Sequence, residues 1–219
     1  MALPVLVIGN KNYSSWSLRA WLALRKSGAD FEEHWLPLDT PEFDRVIGEL
    51  SPTRRVPVLR DGDTCIWDSL AIGEYANERW AGGRLLPADL GARGRARSLC
   101  AEMHSGFEAL RSAMPMNCRA RGRKVPMTPE LQSDIDRVVE LWNEARTGSG
   151  EIGPWLLGEF SLADAMYAPV VLRFRTYGVE VPELVGAYME TMLADSDIKE
   201  WVAAGEAETE IVEADEAGT

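Results

Sequence analysis

The residues Asn12-Tyr13-Ser14-Ser15-Trp16-Ser17-Leu18-Arg19 follow a short, continuously apolar run, Leu3 to Ile8, that ends at Gly9-Asn10. Such a run suits a strand buried on both faces. From Ser14 to Lys26 the spacing changes: Leu18, Trp21, Leu22 and Arg25 recur three or four residues apart, and Gly28 follows as a stop. Ser14 and Ser15 therefore stand where a buried strand gives way to a helix. Backbone N–H groups without helical partners collect there, and the helix dipole favours negative charge. A hydroxyl at that point can hydrogen-bond a bound anion, or can do no more than cap the helix. Tyr13 offers a third hydroxyl, best read as packing against the helix.

Two further pairs carry polar chemistry. Val56-Pro57 opens the apolar run Val56 to Leu59, directly after Arg54 and Arg55. Asp68-Ser69 opens the next helix and places a carboxylate and a hydroxyl beside free N–H groups. Metal chemistry has little to work with. The chain holds two His, His34 and His104, and three widely spaced Cys, Cys65, Cys100 and Cys118, which form no zinc or redox motif. An odd cysteine count with no framework points to a reducing, cytoplasmic setting.

The elements that position these residues read as two halves. Strand, helix and a second strand from Phe31 to Leu38 make a βαβ unit with parallel strands. A short helix follows from Pro41 to Leu50. Asp61-Gly62 between Val56–Leu59 and Thr64–Trp67 signals a hairpin. The helix after Asp68 turns Ile72, Gly73, Ala76 and Trp80 inward. Residues 82–92, with Gly83, Pro87 and Gly91, read as a linker. Beyond it the spacing is helical throughout: one helix through Ala96, Leu99, Cys100, Met103, Phe107 and Leu110, another from Thr128-Pro129 to Trp142 or beyond, a third opened by Ser161 and Asp164 and bent at Pro169, and two more to Ala204. The assignment is 1–81 for the α/β half, 93–205 for the all-helical half, and 206–219 for an acidic, disordered tail.

The chain has 219 residues, 46% hydrophobic and 26% charged, enough for a core without disulfides. The formal net charge is -12 and the sequence pI about 4.7, which excludes the basic face of a nucleic-acid binder. No signal-peptide pattern opens the chain and no window reaches a membrane span. Glu206, Glu208, Glu210, Glu213, Asp215 and Glu216 supply half of the charge excess.

The order and spacing of the serine segment, Val56-Pro57 and Asp68-Ser69, followed by an all-helical half, resemble the cytosolic glutathione transferases. In that family a thioredoxin-like N-terminal domain precedes a helical domain, and the resemblance covers nearly the whole chain apart from the tail. Ser-Ser-x-Ser-x-Arg is most similar to the serine-type zeta group and related bacterial enzymes. Trp16 stands where that group usually has a cysteine.

The resemblance implies glutathione as co-substrate, with no metal. A thiol with a pKa near 8.5 is mostly protonated at neutral pH, and each unit of lowering needs about 1.4 kcal/mol. A hydroxyl hydrogen bond to a thiolate supplies roughly that much, and a helix terminus adds about 0.3–1 kcal/mol. Ser14 is the expected thiolate-holding residue, with Ser15 supporting or replacing it. By the same resemblance the Val56-Pro57 bond is cis and Val56 pairs with the backbone of the cysteine residue of glutathione. Asp68 and Ser69 take the γ-glutamyl end, and Arg55, or Arg54 in its place, reaches a carboxylate. Met103, His104, Phe107, Arg111 and Met114, on the first long helix of the second half, are second-substrate candidates. For Met103, Phe107 and Met114 the plain alternative is core packing. Arg111, Arg119, Arg121, Arg123 and Lys124 either attract an anionic substrate or balance neighbouring acids, the latter being the stronger reading. Ser161 and Asp164 belong to folding. The expected function is transfer of glutathione to a small electrophile by a homodimer. The alternatives are a zeta-type isomerase of maleyl keto acids and a non-catalytic binding relative.

Overall fold

The apolar run at the start of the chain becomes β1, Val5–Ile8, and the serine segment opens α1, Ser15–Ser27. The computed structural model describes residues 2–148 and 153–218. β2 (Glu32–Trp35), α2 (Pro41–Leu50), β3 (Val58–Asp61), β4 (Thr64–Trp67) and α3 (Ser69–Arg79) complete the first half. The sheet order is β2-β1-β3-β4, with β1 parallel to β2 and antiparallel to β3, and β3 antiparallel to β4. β2 takes four residues of the stretch read as a strand, Phe31 to Leu38, and lies exposed at one edge of the sheet. The second half is helical: α4 (Leu90–Ser105), α5 (Glu108–Ala113), α6 (Pro129–Gly148), α7 (Leu162–Tyr177), α8 (Glu183–Ala194) and α9 (Ser196–Ala207). This is a thioredoxin-like α/β half joined to an all-α half.

One apolar core joins the halves. It runs from Leu6 and Ile8 through Leu18, Trp21 and Leu22 of α1 into α4, α6, α7 and α8. Trp142 on α6 sits among Tyr167, Phe174 and Tyr188, with ring centroids 5.0 to 5.7 Å away. At the far end of α1, Arg25 and Lys26 pair with Asp195, Asp197 and Glu200 around the start of α9. Cations at a helix C-terminus thereby meet acids at a helix N-terminus, as the two dipoles favour.

Three expectations from the sequence are corrected. The helix read from Ala96 to Leu110 is two helices: Gly106 ends α4 and Phe107 takes φ 58 before α5 starts. A Cβ at Gly106 would stand 2.9 Å from the Glu102 carbonyl oxygen, so the break needs glycine. α4 begins at Leu90, inside the stretch read as a linker, because the Asp89 side chain caps it through the Ala92 N–H at 2.8 Å. α7 carries Pro169 inside one helix of 16 residues. The acidic tail is docked rather than disordered. Its carboxylates find donors that composition cannot reveal, and Val212 is buried.

α7 owes its start to a buried capping box. Asp164 accepts from the N–H groups of Ser161 at 2.8 Å and Leu156 at 3.1 Å, and from the Ser161 hydroxyl at 2.9 Å. Removing the carboxylate strands two buried amide donors, each costing about 1–3 kcal/mol. Asp164→Ala is expected to lose at least ~3 kcal/mol in urea unfolding, against about 1 kcal/mol for Ser161→Ala. Equal losses for the two variants would contradict this division of labour.

Candidate active site

The strand-to-helix turn is held from several sides before any substrate arrives. The Asn10 carbonyl accepts from the N–H groups of Tyr13 and Ser14, and the Gly9 N–H donates to Ser17 Oγ at 3.1 Å. α9 lies directly beneath. Trp201 Nε1 donates to the Lys11 carbonyl at 2.9 Å, and a Cβ on Gly205 would stand 2.9 Å from the Asn12 nitrogen. The tail closes the other side. Glu208 accepts from the N–H groups of Lys11 at 2.7 Å and Asn12 at 3.0 Å, and from Trp35 Nε1 at 3.0 Å. Glu216 accepts from Tyr13 Oη at 2.6 Å and Asn117 Nδ2 at 2.9 Å.

Ser14 is the N-cap of α1. Its hydroxyl accepts from the Ser17 N–H at 3.3 Å and donates to Ser17 Oγ at 2.7 Å. Ser15 is the first helical residue, and its oxygen accepts from Arg173 Nη2 at 3.1 Å. Tyr13 does not compete with them. Its hydroxyl is engaged on both sides, donating to Glu216 at 2.6 Å and accepting from Arg119 Nη2 at 2.7 Å.

Both serines face a cavity of about 710 Å³. Arg54, Arg55 and Val56 from the first half and Arg111 and Arg173 from the second also line it. The Val56-Pro57 bond is cis, and the ladder with β1 begins only at Val58, so the Val56 backbone is outside it. Trp16 forms part of the lining, with the Arg19 guanidinium 4.5 Å from its ring and that of Arg111 5.0 Å away.

Asp68 and Ser69 do not line this cavity directly; Trp16 and His104 connect them to it. His104 Nε2 lies 3.1 Å from Asp68 Oδ2, and its ring meets Trp16 edge-on at 5.3 Å. Asp68 holds φ 77 while its side chain caps α3 through the Leu70 and Ala71 N–H groups. A non-glycine residue kept at positive φ marks a position where local backbone cost is accepted for placement. The Ser69 hydroxyl is buried without a partner among the described residues.

The second-substrate candidates divide. Arg111 lines the cavity. Met103, Phe107 and Met114 are buried in the core, the plain alternative for all three. His104 touches Asp68 rather than the cavity. Arg119, Arg121 and Arg123 balance the tail: Arg119 donates to the Glu208 and Glu210 carbonyls, Arg121 pairs with Glu206 and Arg123 with Glu216.

Two functional features escaped the sequence. Arg173 on α7 is almost fully buried, and desolvation lowers its pKa to about 10, which leaves it charged at neutral pH. Asp215, from the tail, lines the same cavity, and burial pushes its carboxyl up to about 6 against the pull of Arg173. No periodicity marks either residue as facing the serines. No cysteine is among the residues lining the cavity, and desolvation raises Cys100 and pushes Cys118 up to about 12. Among the described residues no cluster could hold a metal ion, and no helix is long and apolar enough to cross a membrane.

A thioredoxin-like half with a serine-bearing first helix, joined to a helical half across an arginine-lined cavity, defines the class. Residues 13–79 match the family model for the glutathione S-transferase N-terminal domain, and residues 117–204 the model for its C-terminal domain. Glutathione S-transferase 1 of Dianthus caryophyllus is 30% identical over 185 residues, covering 78% of each chain. Maleylacetoacetate isomerase of Rattus norvegicus is 27% identical over 183 residues, covering 81% of each. A crystal structure of a Burkholderia glutathione transferase homologue with bound glutathione superposes with TM-score 0.74 at 25% identity, covering 94% of this chain and all of that one. The chain belongs to the glutathione S-transferase family.

The tail's grip on the turn gives a direct check. Ending the chain at Gly205, or replacing Glu208 by Ala, is expected to speed hydrogen exchange at the Lys11 and Asn12 amides at least tenfold while the α7 amides keep their protection. Unchanged exchange at those two amides would show that the tail does not hold the loop.

Proposed function

We propose that this transferase binds glutathione against its N-terminal half, residues 1–81, and holds the sulfur as a thiolate by a hydroxyl of the Ser14–Ser15 pair. The thiolate then attacks a small electrophile held against the helical half, residues 93–205. The observation that carries the reading is the convergence of both serines, Val56, Arg55 and Arg111 on one cavity. The Val56 backbone, outside the strand ladder, pairs with the cysteine residue of the tripeptide. The Ser69 hydroxyl and the Asp68 carboxylate receive the γ-glutamyl end, and Arg55 at the cavity rim receives a carboxylate.

The chemistry needs little from the protein beyond ionisation and placement. The α1 N-terminus, the serine hydroxyl and two guanidiniums all favour negative charge at the sulfur. Fixing the sulfur beside the electrophile removes much of the entropic part of the barrier. Trp16 and Arg111 offer the second substrate an aromatic face beside a cation. We place the enzyme in the cytoplasm as a homodimer.

A second reading, glutathione-dependent isomerisation of a maleyl keto acid, is favoured by Arg111 and Arg173 on the cavity wall and by the similarity to the rat isomerase. Trp16, in place of the cysteine usual in that group, weighs against it. Turnover of a maleyl diacid compared with an aryl halide separates the two.

The double variant Ser14→Ala/Ser15→Ala is expected to keep glutathione binding in calorimetry within about threefold and to lose roughly 10- to 100-fold in turnover at pH 6.5, the loss of one hydrogen bond to a charged sulfur. Absence of heat with millimolar glutathione in the unmodified protein would end the reading. Full turnover by the double variant would end the serine mechanism.

A further inference from the structure

The two serines are adjacent in sequence but not equivalent in space. Ser14 is committed on both sides. Its oxygen accepts from the Ser17 N–H and its proton goes to Ser17 Oγ, which also accepts from the Gly9 N–H. This closed chain ties the end of β1 to the first turn of α1. Freeing the Ser14 proton for a ligand breaks it.

Ser15 is the reverse case. Its oxygen already receives a charged donor, Arg173 Nη2, and among the described residues its own proton has no acceptor. Arg173 cannot swing away. It is nearly fully buried, and Nη1 donates to the Met114 and Arg111 carbonyls. All of its hydrogen bonds go to neutral oxygens, so its charge is not cancelled by contact. Asp215 bears on it with opposite sign, and the Arg111 and Arg19 guanidiniums with like sign. A hydroxyl whose lone pair is engaged by a cation is a stronger donor.

Resting on the reading of the site as a thiolate-holding one, we propose that Arg173 is the positioning residue that makes Ser15, rather than Ser14, the hydroxyl donating to the glutathione sulfur. The thiol proton leaves to solvent, and Ser15 keeps its own proton and directs it at the sulfur. Arg173 fixes the orientation of the hydroxyl and adds a buried positive charge behind it. Ser14 serves the fold as the α1 cap. The sequence could not distinguish the two, because the deciding partner lies 158 residues away on α7.

The test is the pKa of the bound thiol, read from thiolate absorbance at saturating glutathione, in Ser14→Ala, Ser15→Ala and Arg173→Lys. Ser15→Ala is expected to raise it by about one to two units, with glutathione affinity nearly kept. Ser14→Ala is expected to lower the unfolding midpoint and to leave that pKa within a few tenths of a unit. Arg173→Lys keeps the charge but not the planar fork, and is expected to give an intermediate rise. Should Arg173→Lys fail to fold, the two serine variants decide the matter. A shift in Ser14→Ala without one in Ser15→Ala overturns the proposal and leaves the serine mechanism standing. A shift in Ser15→Ala with none in a folded Arg173→Lys overturns the role of Arg173. No shift in either serine variant overturns both the proposal and the mechanism.

Discussion

A buried positive charge behind a helix N-terminus is the constraint on which the site depends. Arg173 has left water almost entirely, and its hydrogen bonds reach only a hydroxyl and two carbonyls. Leaving a charge in such a place is expensive without negative charge nearby, and the Asp215 carboxylate from the tail supplies part of it. The N–H groups opening α1 point the same electrostatic demand at the same cavity. Two unrelated elements, one from each half of the chain, therefore favour an anion at one point. A thiolate satisfies both.

The rest of the architecture keeps those two elements in register. α1 is clamped between the sheet, α3, α7 and α9, with Trp21 against Trp201 at its middle and the Arg25 and Lys26 ion pairs at its end. α7 is fixed at its start by the Asp164 capping box and along its length by nearly complete burial. The tail then braces the turn between β1 and α1 with Glu208 and Glu216. A shift in any of these would move the Arg173 guanidinium relative to Ser15, and a hydrogen bond weakens steeply with misalignment.

Much of the fold was legible because its signals are local. The apolar run before the serines, the Asp-Gly hairpin, the Ser161–Asp164 box and the helical spacing of the second half each act within a few residues. The breaks at Gly106 and Phe107 were not, because apolar spacing continued across them while the backbone turned. The docked tail was invisible for a different reason. A run of acids reads as solvated until the N–H groups of Lys11 and Asn12 and the Arg119–Arg123 stretch are known to lie opposite it. Within the site, Ser14, Ser15, Arg55 and Val56 came from motifs, whereas Arg173 and Asp215 reach the cavity only through tertiary packing. Met103, Phe107 and Met114 are buried, with Phe107 and Met114 at the two ends of α5 rather than on one long helix.

The central claim is that one cavity binds glutathione with its sulfur against the first turn of α1. A crystal structure of the complex tests it most directly. The account requires the sulfur within hydrogen-bonding distance of a serine Oγ at the start of α1 and the cysteinyl backbone paired with Val56. Glutathione bound elsewhere, or bound with its sulfur turned away from both serines, would contradict it.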